Sequence, residues 1–422
     1  MPDEVLVSIL SLITMKEAGR TSVLSRRWRK LWTFVPNLNF DAPGRSYYLQ
    51  ERACLLFTDR TNYLNCVNSV LELHQAPAID QFRICFDLDE IYRHDIDNWV
   101  NFALKKRVQR LELCLEGLGD FNRYHFPSMC NSIRCLRSRS LGFPSCNSLR
   151  ALDLKSVNIS GEVLEYFLHE CPFLERLKVV RSRTLVNLKV AGPLHQLKYL
   201  EIYHCFKLQN LEISATNLVS FVYCGPRITM PLKHVPNLVE ASIGGLYCEY
   251  LIHKFCEFSS YFLQLRTLIL ELGLIYERME FLEFPILINL KELELTALAS
   301  GSASLLDFSS LISAAPVLYR FALKLNWSKP VRRKVQKFPK CPHHGLKLVE
   351  LVGFVGKIID MEFAMYLIEN AVALEKIIID PRNPQMIGSV WEYHNMKEIE
   401  AARKRAKKLE TKLSLGSKLV IL

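Results

Sequence analysis

Leu174-Glu175-Arg176-Leu177-Lys178-Val179 decides the fold, because the chain keeps returning to its pattern. The phrase is an apolar residue, two variable ones, then two apolar residues separated by one polar residue. It appears as Leu149-Arg150-Ala151-Leu152-Asp153-Leu154 and recurs at 185–190, 197–202, 208–213 and 218–223. Later copies occupy 238–243, 265–270, 290–295, 318–323 and 374–379. A period of two sets the apolar members on one face of a strand and the polar ones on the other. Phe82 to Leu88 and Val108 to Leu113 alternate in the same way. One such strand cannot bury its apolar face alone, so the repetition implies that copies stack around a shared core.

The spacing between copies predicts what joins them. Where copies lie about 25 to 28 residues apart there is room for a strand and a returning helix, and 162–171, 305–314 and 360–371 carry helical periodicity. Further helices are expected near 52–73 and 95–106. Between Leu177 and Phe221 copies come about every 11 residues, too few for a helical return. Those turns are expected to be helix-free loops. The phrase resembles the L-x-x-L-x-L core of leucine-rich repeats. That resemblance implies an α/β fold: an irregular solenoid, a curved parallel sheet with helices and loops on the convex side. Its leucines would point inward while the polar residues line the concave sheet.

Composition agrees with a folded, repetitive protein. The chain has 422 residues, half of them hydrophobic, too many for one ordinary core. No apolar run approaches the roughly 20 residues that span a bilayer, and the Pro-Asp-Glu opening does not read as a secretory signal. The 13 cysteines fall singly inside apolar patterns, as reduced thiols do in a cytoplasmic or nuclear protein. Cys341-Pro342-His343-His344 offers three zinc-ligand types but has no matching second pair, so no metal or other cofactor is expected. The net charge of +11 gathers in two basic stretches, Lys329 to Lys347 and Arg403 to Lys408. Neither interleaves stacking aromatics, so they read as a solvated linker and a helix face rather than a nucleic-acid surface. No Gly-rich phosphate loop, H-E-x-x-H or G-x-S-x-G occurs, and Asp87, Asp89 and Glu90 read as solvated acids at a strand end.

The first 40 residues read differently from the rest. Pro2 suits a helix start, and Asp3 and Glu4 favour its positive end. Val5, Leu6, Ile9, Leu10 and Ile13 then make an apolar stripe. Thr14-Met15-Lys16-Glu17 predicts a capping box opening a second helix with Ala18, Val23 and Leu24 among its apolar members. Ser25 is positioned to cap a third helix bearing Trp28, Leu31 and Trp32. Three short helices cannot bury all these groups among themselves. They need a second surface, either the next domain of this chain or another protein.

The string from Pro2 to Trp32 resembles the F-box of plant proteins in which that module precedes leucine-rich repeats. Its L-P-D-E-V-L, K-E-A and T-S-V-L-S-x-R-W-R elements are matched almost continuously. Near the other end, Val349-Glu350-Leu351-Val352-Gly353-Phe354, Ala364-Met365-Tyr366-Leu367, Asn370 to Lys376 and Ile379-Asp380-Pro381-Arg382 resemble the FBD region of the same family. The resemblance implies docking onto the Skp adaptor of a cullin-RING ubiquitin ligase. By position, Pro2, Val5, Leu6, Ile9, Leu10, Leu24, Ser25 and Trp28 match the adaptor-facing and packing residues. It further implies a non-enzymatic substrate adaptor whose repeats hold a target protein. The FBD strand–helix–strand unit is expected to cap the solenoid.

Three departures stand out. Thr14 replaces a usual proline, and Gly19 a usual apolar residue, which weakens the second helix by something under about 1 kcal/mol. The family also carries several residues ahead of the first proline that this chain, beginning at Met1, lacks, and their loss is expected to weaken adaptor binding. That departure raises the alternative of an interaction scaffold outside any ligase. A hormone co-receptor is disfavoured, because the basic residues do not cluster in the strand phrases. The expected organisation is an F-box at 1–40, connecting helices and a first strand at 41–107, repeats at 108–328, a basic linker at 329–344 and an FBD-like region at 345–422.

Overall fold

Each recurring phrase becomes one rung of a parallel sheet in the computed structural model. It describes residues 1–41, 53–116, 122–127, 147–192, 196–255, 262–275, 284–299, 304–327, 340–389, 391–413 and 418–422. Most of the predicted basic linker lies outside the described residues. The chain divides into two compact units, Met1–Leu218 with Ile228–Val235, and Val219–Arg227 with Pro236–Leu422.

The first unit opens with helices α1 (Asp3–Leu10), α2 (Met15–Arg20) and α3 (Trp28–Leu31), then strand β1 (Asn37–Asp41). Helix α4 (Ala53–Leu73), β2 (Gln81–Cys85), α5 (Arg93–Lys105), β3 (Arg110–Cys114), β4 (Ala151–Lys155), α6 (Gly161–Glu170) and β5 (Arg176–Val180) come next. Then come β6 (Asn187–Val190), β7 (Tyr199–Tyr203), β8 (Asn210–Ser214) and β10 (Leu232–Lys233). Within this unit β1, β2, β3, β4, β5 and β7 are successive parallel neighbours. Leu38, Phe82, Leu111, Leu152, Leu177 and Leu200 stand in one row of the register. All six are fully buried, so the phrase's leucines form the core and its polar residues the outer face.

The closely spaced copies correct the sequence reading. They are free of helix, but alternate copies are strands of a second parallel sheet, in the order β10, β8, β6, rather than rungs of the first or loops. Geometry explains why. Four extended residues at about 3.3 Å each cover about 13 Å, the length that nine helical residues cover at about 1.5 Å. A short coil therefore completes its return leg as a strand where a long one uses a helix. Leu188, Val190, Leu211, Ile213 and Leu232 are the buried members of these return strands. Helix α6 covers the edge of β6. The Glu165 carboxylate accepts the Lys189 N–H at 2.8 Å, and a Cβ on Gly161 would meet the Asn187 carbonyl at 1.8 Å.

The second unit has strands β9 (Ser220–Cys224), β11 (Glu240–Gly244), β12 (Thr267–Ile275), β13 (Glu292–Ala299), β14 (Arg320–Trp327), β15 (Leu348–Val352), β16 (Lys376–Asp380) and β17 (Leu419–Ile421). They pair in parallel in that order. Phe221, Ala241, Leu268, Leu293, Phe321, Val349, Ile377 and Leu419 make its buried row. Its helices are α7 (Leu246–His253), α8 (Ser309–Ser313), α9 (Ile358–Asn370), α10 (Met396–Ala406) and α11 (Lys408–Leu413).

The expected strand–helix–strand unit is present as β15, α9 and β16, and it covers the edge of β14 by joining the ladder in register. Both strands are further rungs of the ladder, and β17 lies beyond them. Asp360, almost wholly buried at the start of α9, closes the preceding turn by accepting the Val355 and Gly356 N–H groups at 2.7 Å each. Burial raises its carboxyl to about 6. At Cys341 to His344 the imidazole of His343 is a structural element of the turn: Nε2 donates to the Ala315 carbonyl at 2.8 Å and Nδ1 accepts the Leu346 N–H at 3.0 Å.

Candidate functional site

The amino-terminal helices fold as their sequence dictates. The Thr14 hydroxyl accepts the Glu17 N–H at 3.3 Å and the Glu17 carboxylate accepts the Thr14 N–H at 3.0 Å, completing the capping box. The Thr14 hydroxyl also donates to that carboxylate at 2.8 Å, and with the Thr14 N–H it holds the Glu17 carboxyl below its ordinary value. Ser25 accepts the Trp28 N–H at 3.4 Å, and Arg27 Nε reaches Asp3 at 2.8 Å across the module's exposed surface. The pair is solvated on both sides and adds little stability.

Leu6, Leu10, Met15, Ala18, Leu31 and Val35 form the module's interior. Helix α2 packs on β1, and the chain leaving α3 is tied to the segment that joins α4 to β2. Gln75 N–H donates to the Thr33 carbonyl at 2.8 Å, Asp80 N–H to the Pro36 carbonyl at 2.9 Å, and the His74 ring meets the Val35 carbonyl at 3.1 Å. The connection runs straight into the sheet, since Asn37–Asp41 pairs with β2.

The eight residues singled out from sequence separate into two groups. Leu6 and Leu10 face inward, Leu10 with only 1% of its surface exposed. Pro2, Val5, Ile9, Leu24 and Ser25 lie on the outside, and Trp28 is half-buried. Val5 and Ile9 are each 44% exposed and Leu24 65%. Leu12, Ile13 and Val23 are also exposed apolar groups of this module, and the sequence reading did not place them among the site residues. Their signal was present as apolar residues at positions where a helix turns over. Exposed apolar residues gathered in so short a module are the mark of an interaction surface.

A second surface is the outward row of the first unit's sheet. Arg83 bridges Asp41 and Glu112, each at 2.6 Å. Arg176 pairs with Asp153 at 3.1 Å and lies 3.9 Å from the centre of the Tyr199 ring. Lys178 pairs with Glu201 at 3.0 Å. In the second unit Arg320 stands among Glu292, Glu294 and Glu350, the last at 2.7 Å. Burial and this carboxylate neighbourhood act oppositely on Arg320. The hydrogen bond to Glu350 prevails and raises its pKa. These outward strands are polar, and their charges are largely paired with one another. No helix among the described residues is long and apolar enough to cross a membrane.

A module of three short helices running directly into stacked strand–return coils defines a leucine-rich-repeat protein with an amino-terminal F-box. Residues 1–40 match the F-box domain family, and residues 70–410 match the family described as At1g61320/AtMIF1, LRR domain. The chain belongs to the plant F-box/FBD/leucine-rich-repeat family. It is 27% identical over 401 residues to F-box/FBD/LRR-repeat protein At5g53840 of Arabidopsis thaliana, covering 90% of this chain and 86% of that one. It is 24% identical over 429 residues to F-box/FBD/LRR-repeat protein At4g26340 of the same plant, covering 94% and 95%. This domain pairing is that of SCF-type adaptors, which are generally non-catalytic.

Proposed function

We propose that this chain is the substrate-recognition subunit of a Skp–cullin–F-box ubiquitin ligase, found in the cytoplasm or nucleus. The F-box binds the Skp adaptor through Val5, Ile9 and Leu24, with Pro2, Ser25 and Trp28 at the rim of that contact. Leu6 and Leu10 hold α1 in place from within. The repeats bind a target protein and carry it to the ubiquitin-charged enzyme, so the subunit contributes proximity and no bond-making of its own. The observation that carries this reading is the exposure of Val5, Ile9 and Leu24 on a module whose interior is complete without them.

Co-expression of the chain with a plant Skp adaptor and a cullin tests it. A stoichiometric complex that depends on Val5, Ile9 and Leu24 is the expected result. A folded chain that binds no Skp adaptor would overturn the proposal.

A further inference from the structure

We propose that Cys85 and Cys114 form a hydroperoxide-reactive pair, a modification site on the outward face of the first unit's sheet, where oxidation joins them as a disulfide. The two residues are direct register partners on the parallel strands β2 and β3. Adjacent strands run about 4.8 Å apart, inside the window of about 4.4–6.8 Å between Cα atoms that a disulfide requires. Both strands bury their second and fourth residues and turn the first, third and fifth outward, so the two thiols share one face. Both are half-buried and open to a small oxidant.

The surroundings select these thiols among those described. Asp41, Cys85, Cys114 and Lys155 form one row across β1 to β4. The neighbouring Cys114 thiol, aided by the charge of Arg83 against burial and Asp41, draws the Cys85 thiol down to about 7. The Cys85 sulfur and burial push the Cys114 thiol up, with Lys155 opposing. One sulfur of the pair is thereby eased toward the thiolate that attacks, and its register partner is placed to resolve. Elsewhere among the described residues Cys171, Cys205, Cys224 and Cys248 are buried, and Cys66 and Cys341 are exposed. Burial lifts the Cys205 thiol to about 12.

The steps balance. The Cys85 thiolate attacks one peroxide oxygen, the O–O bond breaks, and hydroxide leaves a sulfenic acid on Cys85. Cys114 then loses its proton and attacks the Cys85 sulfur. The S–O bond breaks, the hydroxyl departs as water with that proton, and the S–S bond forms. Two thiols are oxidised by two electrons and one peroxide is reduced to two waters.

The test uses the full reduced chain and hydrogen peroxide, followed by thiol blocking under denaturing conditions and tryptic mass mapping. The expected product is a disulfide between the peptides 84–93 and 111–123, which hold Cys85 and Cys114. In Cys114→Ser the reaction should stop at a sulfenic acid on Cys85, formed ahead of any on Cys66 and trapped there by dimedone. Oxidation of Cys66 or Cys341 without the 84–93/111–123 link, or equal dimedone labelling of Cys85 and Cys66, would overturn the proposal. The readout is mass alone, so it is independent of whether the chain binds a Skp adaptor.

Discussion

Truncating Val5, Ile9 and Leu24 together to alanine separates docking from folding. These side chains keep 44%, 44% and 65% of their surfaces exposed, and only that share remains to be buried by a partner. Full burial of such a side chain contributes about 1.5–3 kcal/mol, so the exposed shares together hold roughly 2.5–4.5 kcal/mol. Alanine keeps part of this, leaving a loss of roughly 2–3 kcal/mol, or about 30- to 150-fold in Kd. The fold should not register the change beyond about 0.5 kcal/mol, because surface truncation removes few contacts. Leu10→Ala is the counterpart. It empties a buried site and should cost the module roughly 2–5 kcal/mol. Biolayer interferometry against a purified Skp adaptor, paired with denaturant unfolding of each variant, reads both quantities. A triple variant that binds within about two-fold of the parent while unfolding at the same denaturant concentration would refute the reasoning.

Gly19→Ala should stabilise the module by roughly 0.5–1 kcal/mol, because a Cβ there meets nothing within 4 Å and the residue lies in α2; a lower unfolding midpoint would contradict this. Gly353→Ala should cost more than about 2 kcal/mol, since φ is +78° and the new Cβ would sit 2.0 Å from the Leu325 carbonyl oxygen. A neutral result in urea unfolding would show that the turn relaxes. Asp360 predicts a pH effect. Its folded value of about 6 lies above the unfolded one near 3.9, so the native state binds the extra proton. The associated stability is therefore full below about pH 4 and is lost as pH rises through about 6, on the order of 2–3 kcal/mol. Asp360→Asn removes this component, so the gap between variant and parent should change between pH 4.5 and 7.5, and a constant gap would count against it.

Strand positions were legible because the phrase at Leu149, Leu174 and their successors encodes a two-residue period that only a sheet satisfies. The longer helices, such as Gly161–Glu170 and Ile358–Asn370, were legible for the same reason at the helical period. The second sheet was not, because a return strand such as Asn187–Val190 carries the same alternation as a rung, and sequence gives no sign of which sheet a copy joins. Asn37–Asp41 was missed because it follows directly on the helical module and carries no copy of the phrase, and Leu419–Ile421 because three residues fall below any readable period. In the amino-terminal module the apolar stripe showed which residues were greasy. It could not show that Leu6 and Leu10 turn inward while Val5 and Ile9 turn out, since all four fall on one broad helical arc.

The bonds from Thr33, Val35 and Pro36 into residues 74–80 leave no slack between the helical module and the first rungs. Under the proposed function, whatever the first unit's sheet grips is carried on a fixed bracket rather than a leash. Its bearing toward the ligase is then set by masonry inside this unit, and the choice of which target lysines come within range is a matter of aim more than of reach.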